Sequence, residues 1–200
     1  MPLHLHLAEQ LAEVADCRAA LGISPVELLE REQVLGPELT AVHAIHLESH
    51  DIELLGANQV NVCACTTTER DLGDEVGPLD ELARAGCPLT VGSDSNAIID
   101  MFEEARGLEL DQRRSRGRRG LHDPDALLAA ATTNGMNALG WPSGELKQGM
   151  LADFITVSPP VGMPSALTSA GLIFAASARD VSNVVVGGST VVRSRQAVRS

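Results

Sequence analysis

The sequence predicts an α/β fold of parallel strand–helix units followed by a smaller β segment, and three observations lead there. Short apolar runs alternate with helix-like segments as far as about Gly140, the pattern of consecutive βα units. His6, His43, Asp94 and the group Thr66, Thr67, Thr68 and Glu69 all fall at or just past the C-terminal ends of the strand candidates, the rim where a (β/α)8 barrel keeps its active site. From about Gly144 the texture changes to glycine-rich turns between short apolar runs. Only four βα units fit before that change, and four strands cannot close a barrel of eight. The expected division is therefore residues 1–143 as half of a barrel and residues 144–200 as part of a flanking β-domain.

Taken in order, Leu3, Leu5 and Leu7 alternate with His4 and His6, which predicts a strand over 3–7. Helical patterns follow over 9–21 and, behind Ser24 as N-cap, over 25–31. Strands at 40–44, 60–65 and 88–92 are separated by helices at 49–55 and 79–85. After the fourth strand come helices over 98–114 and 124–139, the second with Asp123 as cap and Pro124 at its first position. Beyond Gly144 a turn feeds a strand ending near Val157, a Pro/Gly/Ser-rich stretch spans 158–169, and residues 184–192 read as a hairpin turning on Gly187 and Gly188. Two β segments cannot bury a core by themselves, so these strands are expected to complete a small β-sandwich.

Composition narrows the class of partner. A net charge of -12 opposes binding to phosphate backbones. The single basic run, from Arg113 to Arg119, carries no aromatic residue, and reads as a solvated loop or a site edge that receives an acidic substrate. No apolar run approaches the length of a membrane span, and the first residues lack the pattern of a secretory signal. Cys17, Cys63, Cys65 and Cys87 form no C-x-x-C pair and read as thiols in a reducing compartment. The expectation is a cytoplasmic protein that acts on a small molecule, with neither nucleic acid nor membrane as partner.

The chemistry centres on His6-x-x-Glu9. A strand ending near Leu7 puts His6 at its tip, and the following turn can bring Glu9 back over the same spot. Metal-assisted hydrolysis needs that pair, an imidazole to hold the ion and a separate carboxylate to move protons. His43 ends the second apolar run and Asp94 follows the fourth. Each has a plainer reading: Glu9 as a first-turn helix acid, Asp94 as an N-cap, His6 as a packed structural histidine. His4 shares a strand face with His6 and is expected to pack rather than ligate. His46, His50 and His122 read as helix-start or surface residues. Glu69 and Arg70 either touch substrate or sit in a solvated loop, and Arg106, Arg113 and Arg114 either orient a carboxylate or decorate a helix face.

His6-x-x-Glu9, Val42-His43-Ala44-Ile45-His46 and Gly92-Ser93-Asp94-Ser95, in that order, resemble the second half of the amidohydrolase superfamily. Gly149-x-x-Ala152-Asp153 with the closing Val-Val-Gly-Gly segment is similar to the C-terminal part of its flanking β-domain. The resemblance implies strands five to eight of the barrel. It further implies His6 and Asp94 as metal ligands, Glu9 as proton carrier, His43 and Asp94 as catalytic partners, and Zn2+ as the cofactor. Thr67-Thr68-Glu69-Arg70-Asp71-Leu72 and Phe102-Glu103-Glu104-Ala105-Arg106 resemble the formimidoylglutamate deiminases within that superfamily. Hydrolysis of N-formimidoyl-L-glutamate to N-formyl-L-glutamate and ammonia is the activity this implies. Asn96 stands where those enzymes usually have His, and Thr67 where a Pro often stands. The alternatives are a related deaminase of a purine, pyrimidine or adenosyl compound, or a non-catalytic split-enzyme subunit. The strand-one H-x-H ligand pair has no counterpart here, so a missing N-terminal half or a homo-oligomer is the expected partner.

Overall fold

Residues 1–96, 98–158, 162 and 168–198 are described by a computed structural model. Four strands, β1 (Leu3–Leu7), β2 (Leu39–His43), β3 (Asn61–Ala64) and β4 (Leu89–Val91), form one parallel sheet in sequence order. Leu3 pairs with Leu39, Thr40 with Asn61 and Val62 with Leu89. The connecting helices are α1 (Leu11–Leu21), α2 (Pro25–Arg31), α3 (Ser49–Ala57), α4 (Thr66–Leu72) and α5 (Leu79–Ala85). After β4 come α6 (Met101–Arg116), α7 (Pro124–Ala130) and α8 (Thr133–Ala138). A second, antiparallel sheet contains β5 (Phe154–Val157), β6 (Val181–Val186), β7 (Ser189–Arg193) and β8 (Gln196–Ala197), with α9 (Ser169–Ala175) between β5 and β6. Its β6–β7 hairpin turns on Gly187 and Gly188, whose positive φ values of 55° and 77° suit a tight turn of the kind glycine permits. Most of the Pro/Gly/Ser-rich stretch at 158–169 lies outside the described residues.

Strand alternation decides which side chains meet the helices. Leu7, Leu39, Ala41, Val62, Ala64 and Leu89 join Val26, Leu55, Leu82, Leu108 and Leu127 in one buried cluster. The opposite sheet face is left to His4, His6, Thr40, Val42, Cys63 and Thr90. Coverage is uneven along the sheet. Leu3 in β1 is exposed, and α1 buries no residue at all.

Local chemistry explains where boundaries depart from expectation. Ser24 and Glu27 form a reciprocal capping box at α2, so that helix starts where the sequence places it. Helix α1 starts two residues later than expected because the Glu13 carboxylate accepts the N–H groups of Ala8 and Glu9 at 2.8 and 3.0 Å, closing a turn before it. Three successive threonines disfavour a helix, yet α4 forms there. Buried Glu104 accepts from Thr66 Oγ1 at 3.0 Å, from Thr67 N–H at 3.1 Å and from the Thr67 hydroxyl. Helix α6 begins at Met101, capped by Asp100, and extends to Arg116. The start of the basic run is therefore its last turn, where cations complement the helix dipole, and not a loop. The expected helix over 124–139 is broken at Thr132, whose backbone (φ -133°, ψ -94°) is not helical. No helix among the described residues is long and apolar enough to cross a membrane.

His122, expected on the surface, is buried at 8% exposure. Its loop is drawn inward by Glu109, a fully buried carboxylate on α6. Glu109 accepts the N–H groups of Gly120, Leu121 and His122 at 2.6, 3.0 and 2.8 Å, and Arg113 Nε at 2.7 Å. Burial alone would raise its pKa, but Arg113 and the backbone donors outweigh that and hold it below its ordinary value. The stabilisation is therefore present above the ordinary carboxylate range and lost as pH falls through the lowered value. Glu109→Gln is expected to cost about 2–3 kcal/mol at neutral pH in urea unfolding, and its gap from the wild type should narrow below about pH 4. Gly107 marks a close approach, since a Cβ there would meet Thr66 Oγ1 at 2.1 Å. Gly107→Ala should lower the urea midpoint although alanine favours helix by about 1 kcal/mol, because α4 must move off α6.

Candidate metal centre

Backbone strain is found at the strand tips. Ala8, His43, Ala44 and Asp94 all have positive φ, at 51°, 70°, 52° and 47°, a region that costs a non-glycine residue roughly 1–2 kcal/mol. Cross-strand bonds hold the first two tips together: Ala44 N–H donates to Leu7 O at 3.0 Å and His46 N–H to Ala8 O at 2.9 Å. Strict alternation would send His43 to the helix side with Leu39 and Ala41. Its ring instead stacks on that of His6, with centroids 5.2 Å apart and planes inclined by 13°.

Around that ring the acidic groups gather. His43 Nε2 lies 3.8 Å from Glu9 Oε1 and 3.9 Å from Asp94 Oδ2. One donor atom each from His6, His43 and Asp94 lie within 4.8 Å of one another. On the other side of the ring, Nδ1 is 3.1 Å from Glu69 Oε1, which also accepts Cys65 N–H at 2.8 Å. Burial alone would lower the His43 pKa, but the hydrogen bond to Glu69 and the charges of Glu9, Glu69 and Asp94 outweigh it, and the net direction is upward. Asp94 sits in a turn held by Thr68, whose hydroxyl donates to Ser93 O at 2.8 Å and accepts Asn96 N–H at 3.1 Å.

The four side chains singled out from the sequence, His6, Glu9, His43 and Asp94, thus come to one place. His43 Nε2 is buried without a hydrogen-bond partner, a state that normally carries a penalty of about 1–3 kcal/mol. Two imidazoles and a carboxylate are the donor types a catalytic zinc ion takes, so the residues fit a divalent cation, which would also partner that nitrogen. Sulfur is not among the converging donors.

Other candidates lie elsewhere or are otherwise engaged. His4 Nε2 is 3.0 Å from Ala138 O. His46 is within 4.0 Å of Glu75, and His50 is exposed beside Glu53 on α3. Arg70 pairs with Glu103 at 2.6 Å and Asp111 at 3.0 Å. Arg106 Nε donates to Phe102 O at 3.0 Å, and Arg113 is held by Glu109. Arg114 reaches a cleft of about 340 Å3 whose walls include His43, Glu69, Arg70 and Asp111. Glu69 is among the residues whose place the sequence left undecided. It is neither in a solvated loop nor turned wholly toward the cleft, but bonded to His43. Its signal was a carboxylate one turn past a strand tip.

The family model described as "Amidohydrolase family" matches residues 1–191. A 5-methylthioadenosine/S-adenosylhomocysteine deaminase of Pelotomaculum thermopropionicum is 36% identical over 205 residues, covering 97% of this chain and 46% of that protein. A formimidoylglutamate deiminase of Pseudomonas aeruginosa is 34% identical, covering 96% of this chain and 45% of its own length. The crystal structure of an adenosine deaminase from Xanthomonas campestris with bound zinc superposes with a TM-score of 0.92 at 30% identity, covering 100% of this chain and 47% of that one. The chain spans about half the length of the proteins it matches. With the parallel sheet, the separate antiparallel sheet and the strand-tip histidines and aspartate in place, the chain belongs to the amidohydrolase family.

Proposed function

We propose that this chain carries the His6–Glu9–His43–Asp94 part of a metal-dependent hydrolase that releases ammonia from an amidine carbon, with the adenine ring of an adenosyl compound as the preferred substrate. The single observation behind the chemistry is the meeting of those four side chains around one unpartnered buried nitrogen. The substrate class is supported by the deaminases of adenosyl compounds among the relatives, including a 5'-deoxyadenosine deaminase of Methanothermobacter thermautotrophicus at 31% identity.

His6 and Asp94 would hold the ion, with His43 beside them. A divalent cation there, zinc as in the Xanthomonas structure, supplies Lewis acidity and lowers the pKa of water toward neutrality. Glu9 stands outside the converging donors and 3.8 Å from His43 Nε2, placed to take a proton from water and deliver it to the departing nitrogen. His43 and Asp94 orient the attacking oxygen and offset charge that develops on the substrate.

The formimidoylglutamate reading stands second. Formimidoylglutamate presents the same kind of carbon between two nitrogens, a relative that acts on it is 34% identical, and Arg114 on the cleft wall could receive its carboxylate. The stretches that suggested it from sequence are largely committed to architecture, however. Thr66 and Thr67 bind Glu104, Thr68 holds the Asp94 turn, Glu69 meets His43, and Arg70 pairs with Glu103 and Asp111. They therefore do not favour one substrate over the other.

The four parallel strands are, on this reading, strands five to eight of a barrel whose other half supplies further ligands. With His43 assigned to the chemistry, His6 and Asp94 alone fall short of the three protein ligands that catalytic zinc normally takes, so the zinc-loaded chain alone should release no ammonia from any of these substrates above the background rate. By titration calorimetry, His6→Ala and Asp94→Asn should each weaken zinc binding at least about tenfold, with His50→Ala unchanged. With the barrel completed by the complementary half, an ammonia-release panel should rank S-adenosylhomocysteine and 5'-methylthioadenosine above formimidoylglutamate. The reverse ranking would establish the second reading. No turnover from a correctly folded, zinc-loaded whole would identify a non-catalytic partner subunit.

A further inference from the structure

We infer that Glu69 is the positioning residue of His43: it holds a ring proton on Nδ1 and so fixes the ring with Nε2 facing His6, Glu9 and Asp94. The catalytic meaning of this rests on the proposed hydrolytic role of His43; the geometry does not. A neutral imidazole has one N–H and one lone pair, and an ionised carboxylate can only accept. The 3.1 Å contact between Nδ1 and Glu69 Oε1 is therefore an N–H donated by the ring, within the normal range for such bonds. The opposite tautomer would lose this bond and put a proton where the donor atoms of His6 and Asp94 converge.

Glu69 is itself fixed. Its Oε1 accepts Cys65 N–H at 2.8 Å, and its side chain is only 13% exposed. The first turn of α4 is tied to Glu104 through Thr66 and Thr67, bonds that do not involve Glu69. Helix α4 should therefore keep its place when the Glu69 carboxylate is removed, and the effect should fall on the ring. A role limited to capping α4 would leave the His43 proton where it is, which separates the two possibilities. Both bonds also run to one oxygen, so a glutamine amide oxygen in the same rotamer could accept them both.

The test is nitrogen-15 NMR of the full 200-residue chain labelled at histidine, comparing wild type, Glu69→Ala and Glu69→Gln. The wild type should show a His43 Nδ1–H proton in slow exchange with water. In Glu69→Ala that proton should exchange at least about 100-fold faster or disappear, while Glu69→Gln should retain it. A protected Nδ1–H that persists in Glu69→Ala, or a wild-type ring protonated on Nε2 alone, overturns the inference. Should Glu69→Ala fail to fold, Glu69→Met, which keeps the side-chain length without an acceptor oxygen, takes its place with the same expected loss of the protected Nδ1–H. In the completed enzyme, Glu69→Ala should lower kcat by roughly 10–100-fold with little change in KM, and Glu69→Gln should recover most of it. Absence of turnover in all three proteins would count against the hydrolase reading and leave the NMR result standing.

Discussion

The bond set between Glu104 and the first turn of α4 is the constraint on which the candidate centre depends. A carboxylate with no exposed surface accepts from Thr66, Thr67 and the Thr67 backbone, and so fixes a turn whose next two residues reach opposite sides of the site. Thr68 holds the loop that carries Asp94, and Glu69 meets His43. The residues at the tips of β2 and β4, strands that share no edge, are thereby tied to one helix terminus. A buried carboxylate is tolerated only when its oxygens are fully engaged, and here that requirement doubles as a positioning device.

Strain is present at the same place. Four non-glycine residues in the left-handed region at the strand tips represent several kcal/mol by ordinary reckoning, offset by the cluster of buried aliphatic side chains under the sheet. Backbone bonds between the tips of β1 and β2 keep His6 and His43 stacked despite the crowding of Glu9, Glu69 and Asp94. The negative field focused on His43 is what a cation would relieve, which links the packing of the sheet to the chemistry proposed for it.

Much of this was legible in the sequence where the signal was local. Alternating leucines placed β1, Ser24 as N-cap placed the start of α2, and paired glycines placed the β6–β7 hairpin. His6, Glu9, His43 and Asp94 were legible as residues at or just past the C-terminal ends of the strand candidates, although alternation alone would have turned His43 to the helix side. What escaped was set by distant partners. Helix α4 runs against threonine propensity because Glu104, 37 residues from Thr67, satisfies its first turn. His122 is buried because Glu109 draws its loop in, and the arginines read as a loop finish α6 because Asp80, Glu81 and Glu109 receive them. Motif residues that pointed to one substrate turn out to hold helices and turns, so family membership was readable while substrate preference was not.

The chain spans about half the length of the relatives it matches, and the flank of β1 is thinly covered, with Leu3 exposed and no residue of α1 buried. The centre itself can be tested in this chain alone. Crystals of the full chain soaked with zinc and measured at its absorption edge should show an anomalous peak about 2.0–2.2 Å from a nitrogen of His6 and an oxygen of Asp94. A peak located only at other surface groups, with His6 and Asp94 left without metal at saturating zinc, would contradict the account.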